Sequence, residues 1–251
     1  MNRGIYISGG GMMVETVRTD TIANNLANSN TAGYKKDINV TRDFHDMLIE
    51  RINDGENPAP KVGNLGMGAV SIENYVVHKN GAFIDTGDSM SVAISGSGYF
   101  AVETPAGVRY TRNGAFTLNS DGQLVTMDGY AVLGAGGTTI NMIDNQPVNI
   151  SNTGQVYNGD QMVGQLELID VEDPRTMRKE AGVLFDLNPN AAQRPFTGKI
   201  IGGMLEASNV NVIEEMVNLI ASYRAFEINA KGVQTHDQLN EKAVNDVGRI
   251  G

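Results

Sequence analysis

The strongest periodic pattern in the chain lies in residues 206–251, which read EASNVNVIEEMVNLIASYRAFEINAKGVQTHDQLNEKAVNDVGRIG. Apolar side chains recur there at alternating steps of four and three residues, the spacing of a helix that winds against another helix. Ile213 and Ile220 widen this stripe, while Arg224 lies off it. We therefore predict a long C-terminal helix that offers its stripe to a partner helix, and packing on its own domain is the alternative. The repeat consists of Val212, Met216, Leu219, Tyr223, Phe226, Ala230 and Val233.

A second helix is predicted from the N-terminus to about Asn28. Gly9, Gly10 and Gly11 interrupt it, and each glycine costs up to about 1 kcal/mol in a helix interior. Such a helix would be weak alone, but small residues permit close contact with another helix. The two chain ends could therefore pair with each other. The less regular apolar stripe of this N-terminal segment is formed by Ile5, Met12, Met13, Val17, Ile22 and Leu26.

Residues 37–75 are predicted to connect the N-terminal helix to the next domain. Phe44, Met47, Leu48 and Ile52 have helical spacing. The following NDGENPAPKVGNLGMG is rich in glycine and proline, which is typical of a loop. We expect a short helix followed by a long loop.

From about Val76 to Gly203 the pattern changes to short runs that alternate apolar and polar residues, such as YFAVE and QLVTM. Turn dipeptides at 113–114, 121–122, 128–129 and 158–159 separate several runs, and these Asn-Gly and Asp-Gly pairs favour tight hairpins. The pattern predicts a mainly antiparallel β domain. The predicted fold class is therefore multi-domain α+β, with helical segments at 1–36 and 204–251 around a connector at 37–75 and a central β domain at 76–203.

Composition excludes several classes of function. The 251 residues carry a formal charge of −10, and the acidic excess lies mostly between residues 37 and 205, which argues against binding to nucleic acid. The chain contains no cysteine, so disulfides and thiolate metal sites are absent. We expect neither a cleaved secretory signal nor direct membrane insertion, because no stretch approaches the roughly 20 apolar residues of a membrane span.

No arrangement of residues points to catalysis. His45, His78 and His236 stand far apart without the spacing of metal ligands, and we interpret each as a surface or structural residue. The acids of IDVEDP at 169–174, which are Asp170, Glu172 and Asp173, do not have the spacing of a calcium loop. We interpret them as a solvated strand end. Asp121 and Asp128 stand beside turn glycines, where aspartate is favoured for backbone reasons. We expect no catalytic residue, no metal and no cofactor.

Three blocks of this sequence resemble the bacterial flagellar rod and hook proteins. DTIANNLANSNTAGYKK at 20–36 is similar to their N-terminal signature, and residues 92–134, from VAISGSGYF to DGYAVLG, resemble their central β-domain block. GMLEASNVNVIEEMVNLIASYRAFEINAKGVQT at 203–235 resembles their C-terminal block. The resemblance implies terminal helices that form a coiled-coil inner domain and a β domain outside it.

The resemblance also implies a function and a location. It implies a non-enzymatic structural subunit of the basal-body rod in the cell envelope. The subunit would be exported by the flagellar type III apparatus. It would assemble with copies of itself and with other rod and hook proteins into a helical tube that transmits torque. The length and the short connector at 55–68 favour a proximal rod subunit, and a distal rod subunit is the alternative within the family.

For a tube of many copies, each subunit must offer apolar surface that its own fold does not bury. We predict that the assembly interface includes the C-terminal repeat named above, from Val212 to Val233, together with Met13, Val17, Ile22 and Leu26. Asn24, Asn25 and Asn28 are predicted to form hydrogen bonds between helices or subunits, with simple surface exposure as the alternative.

Two other classes of function remain open at this point. One is a glycan-binding or carbohydrate-active β-domain protein, in which paired acids would act on the sugar. The other is a coiled-coil adaptor that forms one small closed oligomer.

Overall fold

The computed structural model describes residues 3–43, 47–50, 61–65, 68–142, 146–189 and 191–247. It is an α+β structure with a helix near each end of the chain and a mostly antiparallel β domain between them, which confirms the predicted class at that level. The chain divides into two compact units. The helical unit comprises residues 1–26, 37–75 and 212–251, and the β unit comprises residues 27–36 and 76–211.

The helical unit contains the two long helices. Helix α1 spans Arg3–Ala27 and helix α2 spans Val212–Lys242, followed by a π-helical turn at Ala243–Val247. Both helices were predicted, because their apolar residues recur at helical spacing. None of the helices in the described part of the chain combines the length and apolar character that a membrane span requires.

The predicted short helix and the long loop after it are both wrong where the structure describes the connector, because strands stand in their place. Strand β1 (Asp37–Asp43) pairs with β4 (Ala69–Val76), and β2 (Met47–Glu50) pairs antiparallel with β3 (Lys61–Leu65). Met47 and Leu48 therefore lie in a strand, where pairing with β3 satisfies the backbone polar groups. Phe44 and Ile52, the other residues of the predicted helix, lie outside the described residues.

The β unit is built from seventeen short strands in the described part of the chain, with a 3-10 turn at Pro174–Thr176. The strands are β5 (Phe83–Asp85), β6 (Val92–Ser95), β7 (Tyr99–Thr104), β8 (Gly107–Thr111), β9 (Phe116–Leu118), β10 (Leu124–Thr126), β11 (Ala131–Gly134), β12 (Thr138–Thr139), β13 (Val148–Ile150), β14 (Gln155–Asn158), β15 (Gln161–Gln165), β16 (Leu168–Val171), β17 (Met177–Ala181), β18 (Leu184–Leu187), β19 (Gln193–Arg194), β20 (Lys199–Gly202) and β21 (Met204–Glu206).

Ten of these strands form one sheet, whose main path runs β17-β18-β8-β7-β11-β10-β9. Strand β12 pairs with β11, β16 pairs with β7, and β19 pairs with β16. A three-stranded sheet, β13-β14-β15, and the pairs β20-β6 and β21-β5 complete the unit. Each of these pairings between described strands is antiparallel, as the hairpin dipeptides predicted.

Three of the four turn dipeptides form the expected hairpins. Gly122, Gly129 and Gly159 have φ of 73°, 85° and 61° and connect β9 to β10, β10 to β11 and β14 to β15. The fourth expectation is wrong, because residues 113–114 join β8 to β9, and these two strands have other partners. Asn113 there accepts a hydrogen bond from the Ala115 amide at 3.0 Å, so its side chain shapes a non-hairpin turn.

The described residues of the β unit form a hydrophobic core of their own. Its centre is formed by inward-facing residues of the large sheet and of the three-stranded sheet, and a smaller cluster surrounds Tyr99 and Phe185. The Phe100 and Phe116 rings meet edge to face with centroids 5.2 Å apart. Alternation along the strands produces this core, which consists of Val92, Ile94, Phe100, Val102, Phe116, Leu124, Val132, Ile140, Val148, Ile150, Val156, Leu166, Leu184 and Ile200.

Candidate functional site

Helices α1 and α2 lie side by side and run antiparallel. Near the end of α1, the Asn25 amide Nδ2 lies 3.4 Å from the Glu215 carboxylate near the start of α2. Further along, the Ser222 hydroxyl donates to the Glu15 carboxylate at 2.6 Å and lies 3.0 Å from the Thr19 hydroxyl. Position numbers rise along α1 as they fall along α2, so the two chain ends contact each other, although these contacts are polar and the patterns had predicted apolar ones.

Glycines bring the two helices close together at the other end of the pair. A Cβ atom on Gly11 would lie 2.8 Å from Asn229 Nδ2, and one on Gly232 would lie 2.8 Å from Ser8 Oγ. In contrast, apart from the neighbouring turns of α1 itself, no atom of the described residues lies within 4 Å of the position that a Cβ atom on Gly9 would take. Gly11 and Gly232 therefore permit a close approach that a larger side chain would obstruct.

The face of α2 that meets α1 is polar. Glu215, Ser222, Asn229 and His236 follow one another at seven-residue intervals, and each has a contact with a residue of α1. Glu215 and Ser222 are each only 1% exposed. This polar row was not predicted, because the predicted interface rested on apolar residues, although the polar residues have the same seven-residue spacing in the sequence.

The apolar repeat of α2 is partly exposed. Tyr223 is 61% exposed, Met216 49% and Val212 36%, while Leu219, Phe226, Ala230 and Val233 are half-buried. Flanking apolar side chains on the same helix are also exposed, among them Ile213, Val217, Ile220 and Ile228.

The predicted interface residues of α1 have mixed environments. Met13 is 73% exposed and Val17 38%, Leu26 is half-buried, and Ile22 is buried. Together with Tyr6, which is 71% exposed, they leave apolar surface on α1 as well. Exposed apolar residues thus lie on both helices.

The three predicted asparagines occupy different positions. Asn25 is buried and, besides Glu215, donates to the Asp37 carbonyl at 2.7 Å and accepts from the Asp37 amide at 2.9 Å. Asn24 is exposed, and half-buried Asn28 accepts from the Thr31 hydroxyl at 3.3 Å within the β unit. Asn25 therefore contacts α2 and fixes the start of β1.

A buried ionic cluster in the β unit joins residues from distant parts of the chain. Glu206, whose side chain is fully buried, accepts from Lys35 Nζ at 2.6 Å and from Arg112 Nη1 at 3.2 Å. It also accepts from the Gly81 amide at 2.9 Å, and its backbone carbonyl accepts from the Gly33 amide at 2.7 Å. We call Lys35, Arg112 and Glu206 the buried triad.

The triad sits where all three blocks that resemble flagellar proteins meet. Lys35 belongs to the N-terminal block, Arg112 to the central block and Glu206 to the C-terminal block. Burial lowers the pKa of Lys35, and the Glu206 carboxylate opposes that effect. No role was predicted for Lys35, because nothing local to it shows a partner 171 residues away in the sequence.

Aromatic residues and a histidine surround the triad. The His78 Nδ1 atom lies 2.7 Å from the Tyr99 hydroxyl, and Arg112 lies over the Tyr99 ring at 5.0 Å from its centroid. Burial lowers the pKa of His78 to about 4, helped by the nearby charges of Lys35, Arg112 and Lys179. Burial raises the pKa of Tyr99 to about 12. Both rings are therefore uncharged at neutral pH, and His78 is structural.

The acidic candidates also have structural environments. Asp170 is 1% exposed and accepts from Arg194 Nε at 2.6 Å and from the Ser97 hydroxyl at 2.8 Å, so its interpretation as part of a solvated strand end is wrong. Asp121 and Asp128 are exposed in hairpin turns. Within the described residues, no group of three or more histidine, aspartate or glutamate side chains could hold a metal ion, and His45 lies outside them.

Comparison with known families matches the chain at both ends and in the middle. Residues 5–35 match the family described as flagella basal body rod protein, and residues 201–246 match the flagellar basal body rod FlgEFG protein C-terminal family. Residues 93–158 match the flagellar hook protein FlgE/F/G D1 domain. The two terminal matches include most of α1 and α2, and all three coincide with the blocks recognised in the sequence.

Individual relatives match the chain over nearly its whole length. The flagellar basal-body rod protein FlgF of Caulobacter vibrioides is 35% identical over 253 residues, which cover 100% of both chains. FlgG of Bacillus subtilis is 34% identical over 98% of this chain and 99% of the relative, and FlgG of Buchnera aphidicola is 33% identical over 95% and 97%. Relatives with both names are thus equally similar, so similarity does not choose between FlgF and FlgG.

A β unit joined to paired terminal helices, with flagellar families matching each part, defines the class of structural proteins of the flagellar axis. The chain belongs to the flagellar basal-body rod protein family that contains FlgF and FlgG.

Proposed function

We propose that this chain is a non-enzymatic rod subunit that polymerises through its terminal helices into a helical, torque-transmitting tube. The observation that carries this proposal is the distribution of side chains on the helix pair. Polar residues such as Glu215 and Ser222 lie between the helices, and apolar residues such as Met216 and Tyr223 are exposed. Exposed apolar surface of this kind is typical of a protein interaction site.

Contacts with further copies would bury this surface. A helix from a neighbouring subunit that packs on the Val212–Val233 repeat would complete a coiled coil, the inner domain that the sequence predicted. Head-to-tail contacts that do not close into a ring extend into a helical filament. The proposed partners are copies of this chain, other rod and hook proteins, and the flagellar type III apparatus, which would export the chain without a cleaved signal.

Within the family, we propose the proximal role of FlgF, with the distal role of FlgG as the alternative. The short connector supports this choice. Introducing the gene separately into strains that lack either protein distinguishes the two roles. Restored motility only in the strain without FlgG would overturn our choice.

The assembly proposal is tested by placing a charge on the exposed repeat. Met216→Glu and Tyr223→Glu each alter an exposed side chain, so the purified chain should keep its helix content. In a strain that lacks the native gene, both variants should abolish rod assembly, seen by electron microscopy of basal bodies, and motility. Arg224→Glu is the matched control, because Arg224 is exposed on the same helix but lies off the repeat. Normal rods with both repeat variants would contradict the proposal.

A further inference from the structure

The chain passes between its two units four times, after residues 26, 36, 75 and 211. Lys36 adjoins the second passage, and Val77 and Asn209 lie in the β unit within two residues of the third and the fourth. They are far apart in sequence, yet they lie together in the β unit. A single side chain, that of Asn209, contacts the backbone at the other two.

Asn209 uses both ends of its side-chain amide. Its Oδ1 atom accepts from the Lys36 amide at 2.7 Å. Its Nδ2 group donates to the Val77 carbonyl at 2.7 Å and to the Lys79 carbonyl at 3.0 Å. An aspartate has the same shape but cannot make the two donations, and a carboxylate would face two carbonyl oxygens.

Backbone bonds connect the same segments to one another. The Val77 amide donates to the Lys36 carbonyl at 2.8 Å, and the Asn209 amide lies 3.4 Å from the Tyr34 carbonyl. The Lys79 carbonyl also accepts from Lys35 Nζ at 2.8 Å, which links this group to the buried triad. Breaking one contact therefore weakens the position of the others.

We propose that Asn209 couples the three passages, so that the hydrogen bonds among Lys36, Val77 and Asn209 form and break together. We call this group of hydrogen bonds the clasp. The clasp fixes the β-unit ends of the segments that lead to β1, from β4 and to α2. The consequence for the rod rests on the proposed function. There, intact hydrogen bonds of the clasp would spread torque over three chain passages instead of one.

Hydrogen–deuterium exchange on the purified full-length chain tests the clasp. In Asn209→Asp we expect exchange at least tenfold faster at the Lys36 amide and also at the Val77 amide, which Asn209 does not contact directly. Amides of the central strand β7 should be unchanged. Asn152→Asp, at an exposed turn residue, is the matched control and should alter neither passage.

A second variant, Asn209→Ala, removes all three side-chain hydrogen bonds without adding a charge and should accelerate the same two amides. Faster exchange at Lys36 with unchanged exchange at Val77 would show independent contacts and overturn the proposal. Equal acceleration in β7 would overturn it as well, since the effect would then be global unfolding. The measurement is made on the isolated chain, so its outcome is independent of whether the chain builds a rod.

Discussion

Lys35 and Glu206 come from opposite ends of the chain and form a fully buried ion pair, with Lys35 Nζ 2.6 Å from Glu206 Oε1. Arg112 adds a second cation at 3.2 Å, so one carboxylate faces two positive charges. A buried ion pair contributes little net stability by itself, but removing one partner leaves an uncompensated charge. The pair consequently makes the fold of the β unit dependent on residues near both helices.

Replacing Glu206 by glutamine should destabilise the β unit strongly. The variant keeps the shape of the side chain but leaves Lys35 and Arg112 without a counter-charge, which costs roughly 3–5 kcal/mol in buried sites. Urea denaturation followed by tyrosine fluorescence measures the loss. Glu180→Gln, which breaks a more exposed pair with Arg109, is the control and should shift the midpoint far less. Equal effects of the two variants would contradict the role of the triad.

Replacing Gly33 by alanine should cost more stability than the same change at the hairpin glycine Gly129. Its φ is 68°, and a Cβ atom would overlap the backbone of Arg112 and Asn113. Gly129 has φ 85° but open space around it, so Gly129→Ala should cost only the backbone strain of about 1–2 kcal/mol. We expect Gly33→Ala to cost at least about 2 kcal/mol more, since backbone atoms must move. A similar loss for both in urea denaturation would show that the close approach is unimportant.

His78 should make the β unit less stable in mild acid. The pKa of buried His78 is about 4, below the ordinary value of 6.5, because burial and nearby cations disfavour its charged form. Above pH 6.5 both folded and unfolded chains have this residue neutral, and its contribution to stability is complete. As pH falls from 6.5 to about 4, the unfolded chain binds a proton that folded His78 does not. Stability is therefore lost in this window, by at most about 1.4 kcal/mol per pH unit.

The measurement is the urea midpoint at pH 7 and at pH 4.5. His78→Gln removes the titrating group, so the difference between the two midpoints should shrink. His236→Gln, which removes a histidine from α2, should leave the difference in the β unit unchanged. An unaltered pH dependence in His78→Gln would show that other groups cause the acid sensitivity.

Local patterns were sufficient to predict most of the fold. The β-branched and aromatic residues in the short runs around Phe100 and Val132 are typical of strands, and Gly122 and Gly129 mark hairpins whose backbone requires positive φ. The connector was mispredicted because four apolar residues at helical spacing were given more weight than strand pairing, which depends on partners distant in sequence. Pairing between Met47 and Leu65, for instance, has no signal in either segment alone.

The candidate site was less accessible from sequence. The apolar repeat predicted an assembly surface on α2, which stays a prediction, and it did not reveal that Glu215 and Ser222 face α1. Polar residues buried in a helix pair depend on specific partners, here Asn25 and Glu15, each about 200 residues away. The buried triad was missed for the same reason, because a charged side chain is assigned to the surface unless its partner is known.

The register of the helix pair can be tested with introduced cysteines, since the native chain has none. Thr19 and Ser222 have their hydroxyl oxygens 3.0 Å apart, so Thr19→Cys with Ser222→Cys should form an intramolecular disulfide rapidly in dilute solution. Asp20→Cys with Ser222→Cys is the matched control, because exposed Asp20 is one position away and its side chain leaves the helix in another direction. Non-reducing electrophoresis and mass spectrometry of the linked peptides measure both rates. The structure requires the first pair to react at least tenfold faster. Equal rates, or mainly intermolecular dimers from the first pair, would show that the two helices do not pair within one chain in this register, and the apolar surface assigned to assembly would have to be redrawn.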